Sequence, residues 1–185
     1  MIKWFGAALL VASPAFSDGI SEWETVFEQG AWRLDVNIWD DGSLSCETRA
    51  ISDEGVLFSV ESWPDGTFSI TLYNEDWQFP EQAVDESFVV RIDGGDPWDI
   101  SAEKYSSSVT SYLDRTEPAT QRFLTAFYSG ATMRIESVKG TRIATYALPG
   151  SGPTMDEHSK CEDRIGTASA AVEVDPGARL AKETF

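Results

Sequence analysis

The sequence predicts a mainly β fold: an antiparallel β-sandwich or open barrel of about eight short strands, with two helices near residues 117–129 and 153–165. Apolar and polar residues alternate with a period of two through most of the chain from Trp32 onward. Turns rich in glycine, proline and aspartate separate these segments, and the period changes to that of a helix after Glu117. An apolar fraction of 42% and an aromatic fraction of 12% in 185 residues suffice for one hydrophobic core.

The first half of the chain is predicted to form an antiparallel meander after a polar lead-in over residues 18–30. In residues 32–39 four apolar side chains fall on one face: Trp32, Leu34, Val36 and Ile38. The run Asp40-Asp41-Gly42-Ser43 is typical of a hairpin turn. Further strands are predicted over residues 44–52, 56–63 and 68–73.

The second half combines shorter strands with the two helices. Strands are predicted over residues 87–93, 98–100, 105–113, 131–138 and 141–148. The first helix has an apolar stripe formed by Ala119, Phe123, Ala126 and Phe127. The last strand turns through Pro149-Gly150-Ser151-Gly152 into the second helix, which Gly166 is expected to end.

The two ends of the chain are predicted to lie outside the domain. Residues 1–17 are typical of a cleavable secretory signal, with Lys3 before a short apolar run and small residues at Ala15 and Ser17. We expect one β-rich domain over residues 18–166 and a disordered C-terminal tail over residues 167–185. The signal predicts a periplasmic or secreted protein, and the rest of the sequence contains no stretch that resembles a membrane span.

The chain contains two cysteines, Cys46 and Cys161. In an exported protein, two cysteines far apart in sequence most simply form one disulfide. The chain-entropy model gives such a long loop a stabilisation of about 4–5 kcal/mol.

The formal net charge is −17 at pH 7. Nucleic acid and anionic lipid are therefore poor partners for this chain. The excess of carboxylates has three explanations: solubility through self-repulsion, attraction of a basic protein partner, or adaptation to a salt-rich habitat.

No catalytic residue, metal ligand or cofactor site is predicted. His158 is the only histidine, and its neighbours Asp156, Glu157 and Ser159 point in different directions on a helix, so we expect a solvated side chain. One histidine and two paired cysteines do not match the usual zinc ligand sets. The turns at residues 40–41 and 93–96 offer carboxylates for calcium, but aspartate is common in turns for backbone reasons alone.

The aromatic side chains provide the candidate binding face. Four of them lie opposite the core stripe of their strands: Trp39, Trp63, Tyr73 and Tyr112. Exposed aromatic residues on a sheet can form a ligand-binding or protein-docking face. They can also pack inside a two-layer fold, and the sequence leaves both alternatives open.

The order of these features resembles the invasion-associated locus B family of small exported alphaproteobacterial β-proteins. The resemblance spans roughly residues 32–161, and its features are the Trp32 strand leading to Cys46, Val89-Val-Arg-Ile-Asp-Gly94, the helix from Phe123 to Gly130 reaching Met133-Arg-Ile135, and Ala147-Leu-Pro-Gly-Ser-Gly152 before the last helix. It implies a periplasmic or envelope protein without known catalytic residues, and it transfers no functional residue to this chain.

Three functions remain compatible with the sequence. The first is an exported, acidic, disulfide-stabilised binding or envelope-accessory protein without catalytic activity. The second is an inhibitor or immunity protein that blocks a basic enzyme of the lysozyme kind. The third is a hydrolase that uses two carboxylates, for which the abundance of Asp and Glu offers too many pairs to choose from.

Overall fold

A computed structural model describes residues 19–174 and the side chains of residues 19–166. The ten strands are β1 (Ile20–Gln29), β2 (Trp32–Trp39), β3 (Leu44–Ile51), β4 (Leu57–Ser62), β5 (Phe68–Tyr73), β6 (Val84–Ile92), β7 (Trp98–Tyr105), β8 (Ser108–Tyr112), β9 (Thr132–Ser137) and β10 (Arg142–Ala147). The helices are α1 (Pro118–Ser129) and α2 (Ser151–Val174). The mainly β class is confirmed, with ten strands instead of about eight.

All ten strands belong to one antiparallel sheet, in the order β1-β2-β3-β4-β5-β8-β7-β6-β9-β10. The two ends of this sheet meet. Trp32 at the start of β2 donates an indole N–H to the carbonyl of Ala147 at the end of β10, at 2.8 Å. The Tyr146 hydroxyl donates to the carbonyl of Val56, before β4, at 3.0 Å. Since β2 and β10 lie near opposite ends of the strand order, the sheet must curl round on itself.

The turn between β10 and α2 completes this closure. Gly150 has a φ of +107°, and a Cβ atom there would lie 2.3 Å from the carbonyl oxygen of Gln29. Only glycine fits between the β1–β2 turn and the start of α2 without displacing backbone.

The hydrophobic core fills the inside of the curled sheet. Trp32, Phe58, Phe127 and Tyr146 form an aromatic cluster in which the Trp32 and Phe127 rings are edge-to-face, 4.9 Å apart. Phe123 and Phe127 are the buried residues of the predicted stripe on α1. Helix α1 therefore covers the core as its apolar spacing predicts.

Helix α2 lies against the inner face of β1, β2 and β3. The predicted disulfide between Cys46 and Cys161 is confirmed, with the two Cα atoms 6.1 Å apart. Leu34, Val36 and Ile165 surround it in a second, smaller apolar cluster. The disulfide thus joins the last helix to the third strand from within a buried contact.

Three predicted boundaries are wrong. Residues 20–29 form strand β1, not a polar lead-in, and two register shifts against β2 interrupt its alternation. Tyr105 ends β7, since the chain turns at Ser106 before β8 begins. Gly166 does not end α2, which continues to Val174.

The predicted signal over residues 1–17 lies outside the described residues, as does the predicted tail from residue 175 onward. Within residues 19–174, no helix has the length and apolar character needed to cross a membrane.

Candidate binding face

Strands β2, β3 and β4 present alternate residues to two opposite faces of the sheet. The odd-numbered residues of these strands point away from α1 and α2, and the pairing places Asp35 beside Glu47 and Glu47 beside Glu61. This outer side carries what we term the polar–aromatic face, formed by Asn37, Trp39, Ser45, Glu47, Glu61 and Trp63. The predicted residues Trp39 and Trp63 lie within it, Trp39 at the end of β2 and Trp63 directly after β4.

The two tryptophans are close neighbours. Their ring centroids are 6.4 Å apart, with the planes tilted by 38°. The indole N–H of Trp39 donates to Ser45 Oγ at 3.0 Å, and the Ser45 hydroxyl donates to Glu61 Oε1. Hydrogen bonds across strands therefore fix the orientation of Trp39.

A single amide contacts both carboxylates of this face. Asn37 Nδ2 donates to Glu47 Oε2 and to Glu61 Oε1, each at 3.4 Å. Asn37 and Ser45 are almost fully buried, and Ser45 lies against the indole N–H of Trp39. Buried polar groups that are mutually hydrogen-bonded hold one geometry more firmly than exposed ones.

Glu61 titrates abnormally. Burial raises the pKa of its carboxyl to about 7, and the adjacent Glu47 carboxylate adds to the rise. Hydrogen bonds from Ser45 and Asn37, and the positive charge of Arg49, oppose the increase without cancelling it. Glu61 is therefore partly protonated at neutral pH.

The neighbouring part of the outer side is rich in cations. Arg49 Nη2 lies 2.5 Å from Asp35 Oδ2, and Arg49 Nη1 lies 3.6 Å from Glu47 Oε2. The guanidinium groups of Arg33 and Arg49 stand 5.7 and 5.6 Å from the centroid of the Trp23 ring. In this part of the sheet, arginine side chains thus pair with the carboxylates of Asp35 and Glu47 and contact the ring of Trp23.

The other two predicted aromatic residues lie further away on the same side. Tyr112 is paired with Ser69, which is paired with Glu61, so Tyr112 lies two strands from that carboxylate. Tyr73 is four residues beyond Ser69 along β5, or about 13 Å at the usual rise of a strand. Tyr112 is 68% exposed and Tyr73 is 44% exposed. The structure brings Trp39 and Trp63 together but leaves Tyr73 apart.

Asn37, Ser45, Glu47 and Glu61 were not predicted as members of a site. Each occupies an outward position in its own strand, which the alternation of β2, β3 and β4 could have indicated. Their mutual contacts depend on the strand register, and the sequence of one strand does not determine its register against another.

The expectation that His158 is solvated is wrong, since its exposed fraction is 0%. Its Nδ1 shares a hydrogen bond with Thr48 Oγ1 at 2.9 Å, and its Nε2 shares one with Ser62 Oγ at 2.8 Å. Helix α2 turns this side chain toward inward-facing hydroxyls of β3 and β4. Charged residues on both sides of His158 in the sequence suggested an exposed helix segment, whereas its hydrogen-bond partners are distant in sequence.

Arg115 and Glu162 complete the group around His158. Arg115 donates to both Glu162 carboxylate oxygens and, at 2.9 Å, to Ser62 Oγ. Burial acts to raise the pKa of Glu162, but hydrogen bonds from His158, Arg115 and Ser62 lower it to about 2. We term Thr48, Ser62, Arg115, His158 and Glu162 the covered cluster.

The covered cluster does not form an accessible nucleophilic triad. In a triad the carboxylate and the nucleophile bond to opposite ring nitrogens of the histidine. Glu162 Oε1 lies 3.4 Å from Nε2, the same nitrogen that faces Ser62, which excludes a triad through Ser62. Thr48 faces Nδ1, opposite Glu162, but it is not exposed to a substrate. Ser62 is 3% exposed and Thr48 is fully buried, so no substrate can reach either hydroxyl.

Three further features of the described residues bear on a second site. In the part of the chain that the structure describes, no three His, Cys, Asp or Glu side chains are grouped so that they could hold a metal ion. Asp93, in one of the acidic turns, accepts hydrogen bonds from the backbone N–H groups of Ala131 and Thr132. A shallow cavity of about 340 Å³ lies on α1, lined by Leu124, Thr125, Tyr128 and Ser129.

The chain was also compared with known proteins. No protein-family model, no curated protein and no solved structure matches it.

Proposed function

We propose that this chain is an exported, acidic, disulfide-stabilised binding or envelope-accessory protein without catalytic activity, which holds its ligand on the polar–aromatic face. One observation carries the proposal. Trp39 and Trp63 are half-buried side by side on the outer side of the sheet, and a hydrogen bond to Ser45 fixes Trp39. An aromatic surface that is already ordered loses little conformational entropy when a ligand binds.

Packing within the core does not account for these two tryptophans. The residues that contact α1 and α2 lie on the inner side of the same strands, among them Cys46 in β3 and Phe58 in β4. Tryptophan pairs on the surface of a β-sheet are suited to binding because they combine a large apolar area with few rotatable bonds.

Export is part of the same proposal. A disulfide between residues 115 positions apart is typical of proteins that fold in an oxidising compartment. Together with the signal-like residues 1–17, it favours the periplasm or the exterior of the cell. The resemblance to the invasion-associated locus B family, which implies the same location, stays a prediction.

A carboxylate-based hydrolase is the second candidate, favoured by the adjacent Glu47 and Glu61. A carboxyl with a pKa of about 7 suits a general acid, and two nearby carboxyls are the usual pair of a glycosidase. However, Glu47 also contacts Arg49 and its side chain is only 10% exposed. It is poorly placed to attack a substrate or a water molecule, so we prefer binding.

The experiment compares two aromatic substitutions in the exported protein. Immobilised wild type, Trp63→Ala and Tyr128→Ala are exposed to envelope extract, and retained molecules are identified by mass spectrometry and titrated back in purified form. Tyr128 is an exposed aromatic residue on α1 and serves as the control. We expect Trp63→Ala to weaken binding of the purified ligand by about tenfold or more, with Tyr128→Ala unchanged. Equal binding by all three proteins would show that the face is not the binding site.

A further inference from the structure

On the outer side of β1–β4, arginines pair directly with carboxylates in one part of the surface, and no cation of the described residues contacts the carboxylate in the other part. Around Trp23, two arginines lie against the ring, and Arg49 also pairs with Asp35 and Glu47. Around Glu61, the hydrogen-bond donors are a hydroxyl and an amide, both neutral. The two parts use the same residue types, but only one of them contains the cations.

The difference extends to the tryptophans. Among the residues that the structure describes, no lysine or arginine lies within 4.0 Å of the Glu61 carboxylate, and none lies over the Trp39 or Trp63 rings. A half-buried carboxylate and two aromatic rings therefore adjoin each other without a direct ion pair, and Arg49 acts on Glu61 only from beyond contact distance. Burying a carboxylate without a cation in contact with it is costly, and the distant charge of Arg49 offsets this cost only in part.

We propose that a lysine or arginine side chain of a basic partner protein occupies this position, with its cation beside Glu61 and against the Trp39–Trp63 pair. This proposal rests on the proposed function and names the partner of the same face. The internal contact of Arg33 and Arg49 with Trp23 shows the same chemistry made within the chain.

Charge complementarity favours a basic protein over other occupants. The net charge of −17 attracts a cationic partner over long distances and increases its rate of association. An anion would be repelled by Glu47 and Glu61. A purely apolar ligand would remove water from Glu61 without replacing it by a partner, which costs free energy.

Binding of a cation should be coupled to the protonation of Glu61. The charged groups that face Glu61 are Glu47 and Arg49 from β3, with Asp35 of β2 behind Arg49, while β5 contributes the neutral Ser69. A cation favours the ionised form of a carboxyl whose pKa is about 7. Association below neutral pH therefore releases a proton, and affinity rises as the pH increases through 7.

The test uses a tryptophan-free peptide of alternating glycine and lysine, and the same peptide with its lysines acetylated. Binding to the exported protein is measured by calorimetry and tryptophan fluorescence at low ionic strength, for wild type, Glu61→Gln and Glu24→Gln. Glu24 is an exposed residue of β1 that faces away from Trp23, so its substitution removes the same charge from a different place.

We expect acetylation and Glu61→Gln each to weaken binding by about tenfold, and Glu24→Gln by less than about twofold. Wild-type affinity should fall about tenfold from pH 8 to pH 6, and Glu61→Gln should remove this dependence. Equal effects of the two Gln substitutions would overturn the proposal, as would the absence of peptide binding at about 1 mM.

The outcomes separate this proposal from the proposed function. If Trp63→Ala abolishes binding of the captured ligand while Glu61→Gln and lysine acetylation have no effect, the face binds a ligand that is not cationic. If Trp63→Ala has no effect, the face itself is not the site.

Discussion

The covered cluster and the polar–aromatic face are built from consecutive residues of the same strands. Thr48 and Ser62 point inward to His158, while their neighbours Glu47 and Glu61 point outward. Each group contains a partly buried glutamate, but the two titrate in opposite directions. Arg115 and His158 lower the pKa of Glu162 to about 2, whereas burial beside Glu47 raises that of Glu61 to about 7.

Burial acts to raise the pKa of both carboxyls, and the hydrogen bonds from His158 and Arg115 reverse this effect only at Glu162. The covered cluster supplies its own cation and is complete within the chain. In the polar–aromatic face, Glu61 has no cation from the described part of the chain in direct contact, which is why we assign the external partner to this position. Four variants test whether the first group stabilises the fold and whether the second group is available for a ligand.

The largest effect is expected for the disulfide that holds α2 over the covered cluster. Replacing Cys46 and Cys161 together by alanine should lower the free energy of unfolding by about 4–5 kcal/mol, because the bridge closes a loop of more than a hundred residues. Denaturant titration with and without a reductant measures this change. Reduction of the wild type should reproduce it, and a loss below about 1 kcal/mol would show that α2 is held by packing alone.

A smaller effect is expected for the histidine of the covered cluster. His158→Ala should cost about 3 kcal/mol, since it leaves a cavity and removes a hydrogen-bond partner from two buried hydroxyls. Ser159→Ala, at the next and exposed position of the helix, is the control and should change stability by less than about 0.5 kcal/mol. Similar values for both variants would contradict a stabilising role of the cluster.

The smallest effect is expected for Glu61, and its size depends on pH. The folded-state pKa is raised, so the contribution of the protonated form is complete below the unfolded value of about 4.4 and is lost as the pH rises through about 7. Glu61→Gln should therefore stabilise the protein by about 1–2 kcal/mol at pH 8 and change little near pH 4.

Glu162→Gln is the matched comparison for that measurement. The pKa of Glu162 is depressed, so its ionised form stabilises the fold above about pH 4.4, and this contribution is lost as the pH falls through about 2. Its substitution should destabilise the protein at pH 8. If both substitutions shift the thermal midpoint in the same direction at pH 8, the two carboxyls do not differ as described.

The sequence predicted the parts of the fold that are encoded locally. The alternation from Trp32 to Ile38 and the Phe123–Phe127 stripe identified core-facing residues, because period-two and helical spacing are visible in one segment. Strand β1 was missed because two register shifts interrupt its alternation. The burial of His158 was missed because its partners lie 110 and 96 residues away.

The candidate site was predictable only in part for the same reason. Alternation placed Trp39 and Trp63 on the outer side of the sheet, but it could not show that they adjoin. That contact, and the presence of Glu47 and Asn37 beside Glu61, depends on how three strands are aligned. That no arginine within residues 19–166 contacts the Glu61 carboxylate likewise depends on where the arginines lie in the folded chain.

The hydrogen bond between Trp32 and Ala147 also determines how late in folding the sheet can close. Its indole partner and the partner of Cys46 are both 115 residues further along the chain. Such distant contacts slow folding, because a long loop must close before the contacts stabilise it. The sheet cannot close until the segment around Ala147 is available to pair with the segment around Trp32, so closure comes late in folding. If the chain is exported as we propose, it can therefore cross the membrane before the sheet closes.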